Sequence, residues 1–222
     1  MNTTSITPSA TARFNMIEQQ IRTWEVLDPK VLDLLNEIPR ENFVPDAYKG
    51  LAFADLEIPL GNNQLMLSPK VEGRILQALE IKPHETVLEI GTGSGYLTAL
   101  MAAFANSVTT VEIDLAIAAR ANVIFNDLKF NNIDCVSGNG ANGWGTDQYD
   151  VIVFTGGLEV EPDTAKKQLN IGGRLFAVVG EAPAMQAKLI RRISETGFKT
   201  DVIFETSLPY LALCTPAEKF EF

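Results

Sequence analysis

The residues best suited to chemistry in this 222-residue chain form a glycine-rich turn, Gly91–Gly95. A β-branched run, Thr86–Ile90, leads into the turn, and an apolar helical pattern, Tyr96–Phe104, follows it. Glycines at such a junction let the backbone approach a ligand closely and adopt positive φ angles. Ligands of open α/β sheets bind at this carboxyl edge of the strands. The sequence therefore predicts a ligand site at this turn.

The spacing of the glycines favours one cofactor over another. A dinucleotide-binding turn reads GxGxxG, whereas this one reads GxGxG and follows an acidic residue, Glu89. That arrangement resembles enzymes that bind S-adenosylmethionine (SAM), whose ammonium and sulfonium groups a carboxylate attracts. A phosphate ligand would be repelled. We predict SAM as the cofactor. The binding residues predicted in this segment are Glu89, Gly91, Thr92, Gly93, Ser94 and Gly95.

Polar residues also follow the neighbouring predicted strands. Glu112 ends the second strand roughly 20 residues after the first glycine, where a carboxylate accepts hydrogen bonds from ribose hydroxyls. The third strand leads to Asn139, whose amide is suited to the adenine edge. Asp114 is predicted to cap a helix instead. The cofactor site is therefore predicted to include Glu112, Ile113, Asn139, Gly140 and Thr155 as well.

Strands that alternate with helices after Pro83 predict βαβ units. This pattern indicates a doubly wound, mostly parallel sheet of seven strands. The predicted strands are Thr86–Ile90, Val108–Ile113, Ile133–Val136, Tyr149–Thr155, Arg174–Val179, Val202–Thr206 and Leu208–Cys214. The last two should pair antiparallel because their link is too short for a crossover. The predicted helices of this region are Tyr96–Phe104, Leu115–Leu128, Asp163–Leu169 and Ala184–Thr196.

The first part of the chain has a different texture. Helical patterns are separated near Asp28–Pro29, an irregular segment spans Leu51 to Lys70, and a further helix is predicted over Val71–Leu79. We interpret residues 1–80 as a helical and loop extension that covers the active site. Residues 81–222 then form the Rossmann-like SAM-binding domain.

Composition excludes several classes of protein. A formal net charge of −10 disfavours binding to nucleic acid. Two distant cysteines provide no material for a disulfide framework or a thiolate metal site. A single histidine, His84, makes zinc catalysis and a Ser/His/Asp triad difficult to build. No run reaches the ~18 apolar residues of a membrane span, and the first residues do not read as an export signal. We therefore predict a cytoplasmic protein with no metal and no membrane partner.

Several stretches together resemble one family. The most specific is Ile38–Pro45, with the sequence IPRENFVP; Leu51–Asp55, Ile58–Gly61, Val87–Tyr96 and Gly138–Gly140 agree with it. From about Arg13 to the last strands, the chain resembles protein-L-isoaspartate O-methyltransferases. The resemblance implies a class I SAM methyltransferase fold and methyl transfer to the carboxylate of isoaspartyl residues, the start of protein repair. The partner would be a protein or peptide, or a small acceptor, and the enzyme a monomer or dimer.

The acceptor segment departs from the family. The resemblance places Leu65 and Leu67 where family members carry the Thr and Ser of Gln-Thr-Ile-Ser-x-Pro, and Ser68 follows. It implies Asp55 and Ser68 as the catalytic candidates, with Leu67 at the usual Ser position. Asn139 likewise replaces the Asp of a GDG motif. Two alternatives therefore stay open: a SAM methyltransferase with another acceptor, and a non-catalytic SAM-binding homologue.

The net charge bears on the acceptor too. A charge of −10 provides no long-range attraction for an anionic isoaspartyl peptide. Recognition then requires local cations, and the sequence offers Arg40, Lys70 and Arg74 as candidates.

Overall fold

The computed structural model describes residues 8–214, and the chain divides into two units, Met1–Glu80 and Ile81–Phe222. The described part of the first unit holds three α-helices and a two-stranded hairpin. These elements are α1 (Pro8–Met16), α2 (Pro29–Glu37), β1 (Ile58–Gly61), β2 (Gln64–Met66) and α3 (Pro69–Leu79). A π-helical turn and short 3₁₀ turns connect them: Ile17–Ile21, then Arg22–Trp24, Arg40–Asn42 and Asp46–Leu51. That this unit covers an active site stays a prediction.

Local sequence accounts for these elements. Helix α2 begins where predicted, because the Asp28 carboxylate accepts the amide of Lys30 and Pro29 occupies the first helical position. The segment predicted to be irregular contains the β1–β2 hairpin. Its turn residues Asn62 and Asn63 both have positive φ angles, 49° and 58°. Asparagine tolerates this backbone, and a pair of such residues matches the twist of a hairpin.

A buried arginine holds the first unit together. Arg40 is fully enclosed, and its guanidinium pairs with the carboxylate of Glu72. It also donates to the carbonyl oxygens of Ala52, at 2.9 Å, and Leu67, at 2.6 Å. Burial raises the pKa of Glu72, and the charge of Arg40 opposes that rise. Arg40 thus is not the accessible cation that the sequence suggested, because its donors hold the surrounding loops.

The second unit is a seven-stranded sheet with strand order β5-β4-β3-β6-β7-β8-β9. The first five strands of this order run parallel, and β8 and β9 are antiparallel to their neighbours. This confirms the predicted mostly parallel, seven-stranded α/β fold. The strands are β3 (Thr86–Ile90), β4 (Ser107–Glu112), β5 (Ile133–Ser137), β6 (Tyr149–Leu158), β7 (Leu169–Glu181), β8 (Ala184–Arg192) and β9 (Phe198–Thr206). The helices are α4 (Tyr96–Phe104), α5 (Leu115–Asp127) and α6 (Asp163–Lys166).

Two predicted elements are wrong. Residues 184–196 were expected to be helical, but Ala184–Arg192 is strand β8, paired on one side with β7 and on the other with β9. Residues 208–214 were expected to form the last strand. Instead, within the described residues, Tyr210 makes only an isolated bridge to Gly157, because Pro209 lacks the amide that a ladder requires. The predicted antiparallel pair at the end is thus replaced by β8 and β9.

The core of this unit lies around the central strands. Val151 to Phe154 of β6 are all fully buried. A strand covered on both faces reads as a continuous apolar run rather than an alternating one. Within residues 8–214, no helix is long and apolar enough to cross a membrane.

Candidate functional site

The glycine turn adopts a backbone that other residues avoid. The φ angles of Gly91, Gly93 and Gly95 are 96°, 53° and 82°. A Cβ atom on Gly91 would lie 2.3 Å from Oγ1 of Thr155, and one on Gly95 would lie 2.7 Å from the ring of Phe125. Both positions thus require glycine for space as well as for conformation. The turn brings backbone to the place where β3 meets α4.

Glu112 ties the end of β4 to this turn. Its Oε2 atom accepts the amide of Gly93 at 3.0 Å, and its Oε1 atom accepts the amide of Asp114 at 3.0 Å. The side chain is almost entirely buried, with 2% exposure. Each carboxylate oxygen can accept more than one hydrogen bond. The arrangement is therefore chemically suited to hydroxyl groups of a ligand, as the sequence predicted.

Glu89 lies beneath the turn and not at its surface. The residue is fully buried, and its carboxylate accepts the hydroxyls of Thr98 and of Thr110, the latter at 2.6 Å. Thr110 also shares a 2.7 Å hydrogen bond with Thr92. Glu89 thus joins β3, β4 and α4, and its charge acts on the turn from below. Its direct role in cofactor binding stays a prediction.

Sequence reasoning missed the two threonines that hold Glu89. Thr98 is the one aliphatic hydroxyl residue in the apolar stretch that forms α4, and Thr110 is a buried polar residue of β4. A buried hydroxyl in such a place requires a hydrogen-bond partner. That requirement is the signal in the sequence that could have found them.

Residues at the carboxyl ends of β6 and β5 complete the arrangement. Thr155 of β6 donates to the carbonyl oxygens of Gly91, at 2.6 Å, and Ile90, at 3.1 Å. Asn139 is exposed, and its Oδ1 atom accepts the amide of Ala141 at 3.0 Å. A Cβ atom on Gly140 would lie 2.6 Å from the side chain of Ile90. These residues meet at one edge of the sheet.

Three more predicted residues lie around the same turn. Ser94 is buried, and its hydroxyl accepts the amide of Tyr96 at 3.2 Å. Ile113, directly after β4, keeps 37% of its surface exposed and presents an apolar face beside Glu112. Asp114 caps α5 by accepting two helix amides, as predicted. The structure therefore gathers the predicted cofactor residues at one edge, while their contacts with a cofactor stay predictions.

The segment after β9 contributes a neighbour that the sequence did not indicate. The amide of Gly157 donates to the carbonyl oxygen of Pro209 at 2.8 Å, and the amide of Leu211 donates to the carbonyl oxygen of Gly157 at 3.0 Å. The side chain of Leu211 lies 3.5 Å from the position that a Cβ atom on Gly91 would occupy. Residues 208–211 therefore pack against the end of β6 beside the glycine turn.

Cys135, whose thiol interacts with residues of this site, is poorly suited to nucleophilic chemistry. Burial raises the pKa of Cys135, and the charges of Glu89 and Glu112 raise it further, against a hydrogen bond with Thr92. A thiol with a raised pKa is a weak nucleophile at neutral pH. Among residues 8–214, no group of three His, Cys, Asp or Glu side chains is placed to hold a metal ion.

The predicted acceptor residues belong to the first unit. Asp55 pairs with Lys70, its Oδ2 atom lying 2.7 Å from the ammonium nitrogen. Ser68 is buried at the start of α3, where its hydroxyl makes no capping hydrogen bond to the described amides. Leu67 is buried as well, and its carbonyl oxygen accepts a hydrogen bond from Arg40. The catalytic roles of Asp55 and Ser68 stay predictions.

Solved structures share this fold. A protein-L-isoaspartate O-methyltransferase matches with a TM-score of 0.77 and 24% identity over 90% of this chain and 65% of that one. A Plasmodium falciparum protein described as a protein-L-isoaspartate O-methyltransferase, in complex with S-adenosyl-L-homocysteine, matches with a TM-score of 0.78 and 16% identity. The match covers 91% of this chain and 97% of that one. At these identities the likeness concerns the fold alone.

Sequence relatives are more informative. Protein-L-isoaspartate O-methyltransferase 1 of Rhodopseudomonas palustris (strain HaA2) is 38% identical over 186 residues, which are 83% of this chain and 76% of that protein. Protein-L-isoaspartate O-methyltransferase 2 of Pelobacter propionicus is 33% identical over 203 residues, 90% of each chain. The family profile itself matches residues 11–214. Both the glycine turn and the segment with the buried arginine fall within this match, so the chain belongs to the protein-L-isoaspartate(D-aspartate) O-methyltransferase family.

Proposed function

We propose that this chain is a SAM-dependent methyltransferase that methylates a carboxylate at isoaspartyl sites of damaged proteins. Membership of the family supports the reaction, and the edge of the sheet supports the cofactor. The observation that carries the proposal is the hydrogen bond between Gly93 and Glu112. It fixes an acceptor of hydroxyl groups directly against a turn of positive-φ glycines.

The residues present fit SAM. Glu112 offers carboxylate oxygens suited to ribose hydroxyls, and Ile113 beside it offers exposed apolar surface to a purine ring. Asn139 has an amide that can donate to a base edge. When bound, SAM supplies an activated methyl group.

The acceptor chemistry requires little from the protein. An α-carboxylate has a pKa of roughly 3.5 and is ionised at neutral pH, so no general base is needed. What the side chains must do is position the carboxylate and exclude water, which is catalysis by proximity. A chain with a single histidine can meet these requirements.

We infer a protein or peptide acceptor rather than nucleic acid. The net charge of −10 supports this choice. The two cysteines, Cys135 and Cys214, are both free thiols, which supports a reducing cytoplasm as the working compartment. The oligomeric state is proposed as monomer or dimer.

Two measurements test the function in sequence. Calorimetric titration with SAM and with S-adenosyl-L-homocysteine should show binding of both. Transfer of labelled methyl groups from SAM should then occur to an L-isoaspartyl peptide and not to the matched aspartyl peptide. Binding without any transfer would contradict the acceptor, and failure to bind either compound would contradict the whole proposal.

A second candidate, a SAM methyltransferase with another acceptor, is favoured by Leu65 and Leu67. Neither side chain can hydrogen-bond a carboxylate. In the family members that the chain resembles, the corresponding residues are a Thr and a Ser, which carry hydroxyl groups. On the isoaspartyl proposal, Leu67→Ser should raise kcat/KM for an isoaspartyl peptide several-fold with unchanged binding of S-adenosyl-L-homocysteine. Leu60→Ser, at a similarly buried leucine of β1, is the matched control and should not raise it. No gain from Leu67→Ser, with no transfer by the wild type, would favour the second candidate.

A further inference from the structure

One face of α3 holds the turn that precedes α2. The guanidinium of Arg74 donates to the carbonyl oxygen of Trp24 at 2.9 Å. One turn further along, the side-chain Nε2 atom of Gln77 donates to the carbonyl oxygen of Glu25 at 2.8 Å, and its Oε1 atom accepts the backbone amide of Leu27 at 2.6 Å. Glu25 itself has a positive φ angle of 61°. These hydrogen bonds fix the position of Trp24 although 36% of it is exposed.

Lys70 lies on the same face, one turn before Arg74. Its ammonium stands 4.3 Å from the centre of the Trp24 ring and 2.7 Å from the carboxylate of Asp55. The side chains of Lys70 and Asp55 are 23% and 33% exposed. An aromatic face within about 6 Å stabilises a cation. A normally mobile ammonium is therefore held in one place and still reached by solvent.

Among the three cations that the sequence offered for an anionic acceptor, the structure distinguishes one. Arg40 is fully buried against Glu72. The guanidinium of Arg74 is engaged with Trp24 and Glu25. Lys70 is the most exposed of the three side chains. An ammonium has three donors, and the described bond to Asp55 uses one of them.

The position of Lys70 in the chain points to the acceptor. It follows Ser68 and Pro69 directly, in the segment where Leu65 and Leu67 replace the hydroxyls that the resemblance predicts. We propose that Lys70, held by Trp24 and Asp55, is the specificity-determining cation that binds a carboxylate of the acceptor peptide. This inference rests on the proposed function.

The proposal makes Asp55 a competitor for the ammonium. An incoming carboxylate takes the place of Asp55 or shares Lys70 with it, so the two carboxylates oppose each other. Removing the charge of Lys70 should weaken acceptor binding, whereas removing the charge of Asp55 should strengthen it. An ion pair with a purely structural role predicts a loss from both changes.

The test is the affinity of the full chain for an L-isoaspartyl peptide in the presence of S-adenosyl-L-homocysteine. We expect Lys70→Met to raise the Kd about ten-fold, as for loss of one charge-assisted hydrogen bond, and Lys70→Arg to restore most of it. Asp55→Asn should lower the Kd a few-fold. A matched control is the exposed pair Lys49 and Asp46: Lys49→Met and Asp46→Asn make the same charge changes and should leave the Kd unchanged.

Separate measurements distinguish a folding defect, a failure of the inference about Lys70 and a failure of the proposed function. Cofactor binding and unfolding temperature are measured for each variant, so a folding defect is visible. If the wild type binds and methylates the peptide but Lys70→Met binds it equally well, the inference about Lys70 is wrong and the function stands. If Asp55→Asn weakens binding as much as Lys70→Met, the pair is structural. If the wild type binds no isoaspartyl peptide, the acceptor class itself fails.

Discussion

The two ends of the parallel strands use glutamate in opposite ways. At the amino end, Glu85 stands just before β3, and its two carboxylate oxygens accept hydrogen bonds from Nη1 and Nη2 of Arg174, at 2.6 and 2.8 Å. At the carboxyl end, Glu112 receives two backbone amides at 3.0 Å. Asp150 adds to the first group by accepting hydrogen bonds from Thr86 and Asn170.

The difference teaches which end serves stability and which serves binding. A guanidinium fork matches a carboxylate closely and neutralises it, so Glu85 joins the start of β3 to β7. The carboxylate of Glu112 is instead oriented by two backbone amides, and these donors carry no formal positive charge. They also shape the glycine turn. We infer that charge at the amino end stabilises the sheet, whereas charge at the carboxyl end serves a ligand.

The largest expected effect comes from Gly91. Gly91→Ala places a methyl group 2.3 Å from Oγ1 of Thr155 at a φ angle of 96°. Because the turn must move to relieve this overlap, calorimetry should show S-adenosyl-L-homocysteine binding weakened by about 100-fold, which corresponds to about 3 kcal/mol. The control is Gly172→Ala in β7, where φ is 90° and the methyl group meets open space. Equal loss of binding in both variants would show that backbone strain, and not the turn, is responsible.

The two glutamates give the next effect. Glu112→Gln should weaken S-adenosyl-L-homocysteine about ten-fold, as for one lost charge-assisted hydrogen bond. Because the glutamine NH2 cannot accept one of the two backbone amides, the free energy of unfolding should also fall by about 1–3 kcal/mol, while the protein stays folded. Glu85→Gln should lower the free energy of unfolding by about 1–3 kcal/mol and leave cofactor binding unchanged. Calorimetry and urea unfolding on both variants check this. The comparison breaks if Glu85→Gln impairs binding or if Glu112→Gln mainly unfolds the protein.

The smallest effect is a dependence on pH. Although burial raises the pKa of Glu85, hydrogen bonds from Arg174 and Lys82 outweigh it and hold the pKa below its ordinary value. A lowered pKa in the folded state gives stability that is present above the ordinary pKa and lost as pH falls through the folded value. The urea midpoint of the wild type should therefore fall more steeply below about pH 4.3, the ordinary pKa of a glutamate, than that of Glu85→Gln. Parallel curves would assign the acid sensitivity to other groups.

The sequence predicted the first strands and helices of the sheet because their signals agreed. Thr86–Ile90 and Tyr96–Phe104 have the bounds expected from β-branched runs and helical spacing. The helix predicted over residues 184–192 was wrong because this segment is rich in Ala, Met, Gln, Lys, Leu and Arg, which are all good helix formers. Their apolar positions 185, 187 and 189 alternate, and pairing with β7 and β9 overrode the local preference. The hairpin was missed because its signal lies in two asparagines.

The site was predictable where side chains follow strand ends in order. Glu112 and Asp114 make the kinds of contact their positions suggested. The burial of Glu89 and of Arg40 was not predictable, because both depend on partners distant in sequence, namely Thr110 for one and Glu72 for the other. A local sequence pattern does not show which residues, distant in the chain, will pair in the fold.

The most direct test of the account is a crystal structure with S-adenosyl-L-homocysteine bound. We predict that a ribose hydroxyl lies within hydrogen-bond distance of Glu112, about 2.6–3.2 Å, with the homocysteine portion along the Gly91–Gly95 turn. A ribose remote from Glu112, or a ligand bound elsewhere on the chain, would contradict the central claim.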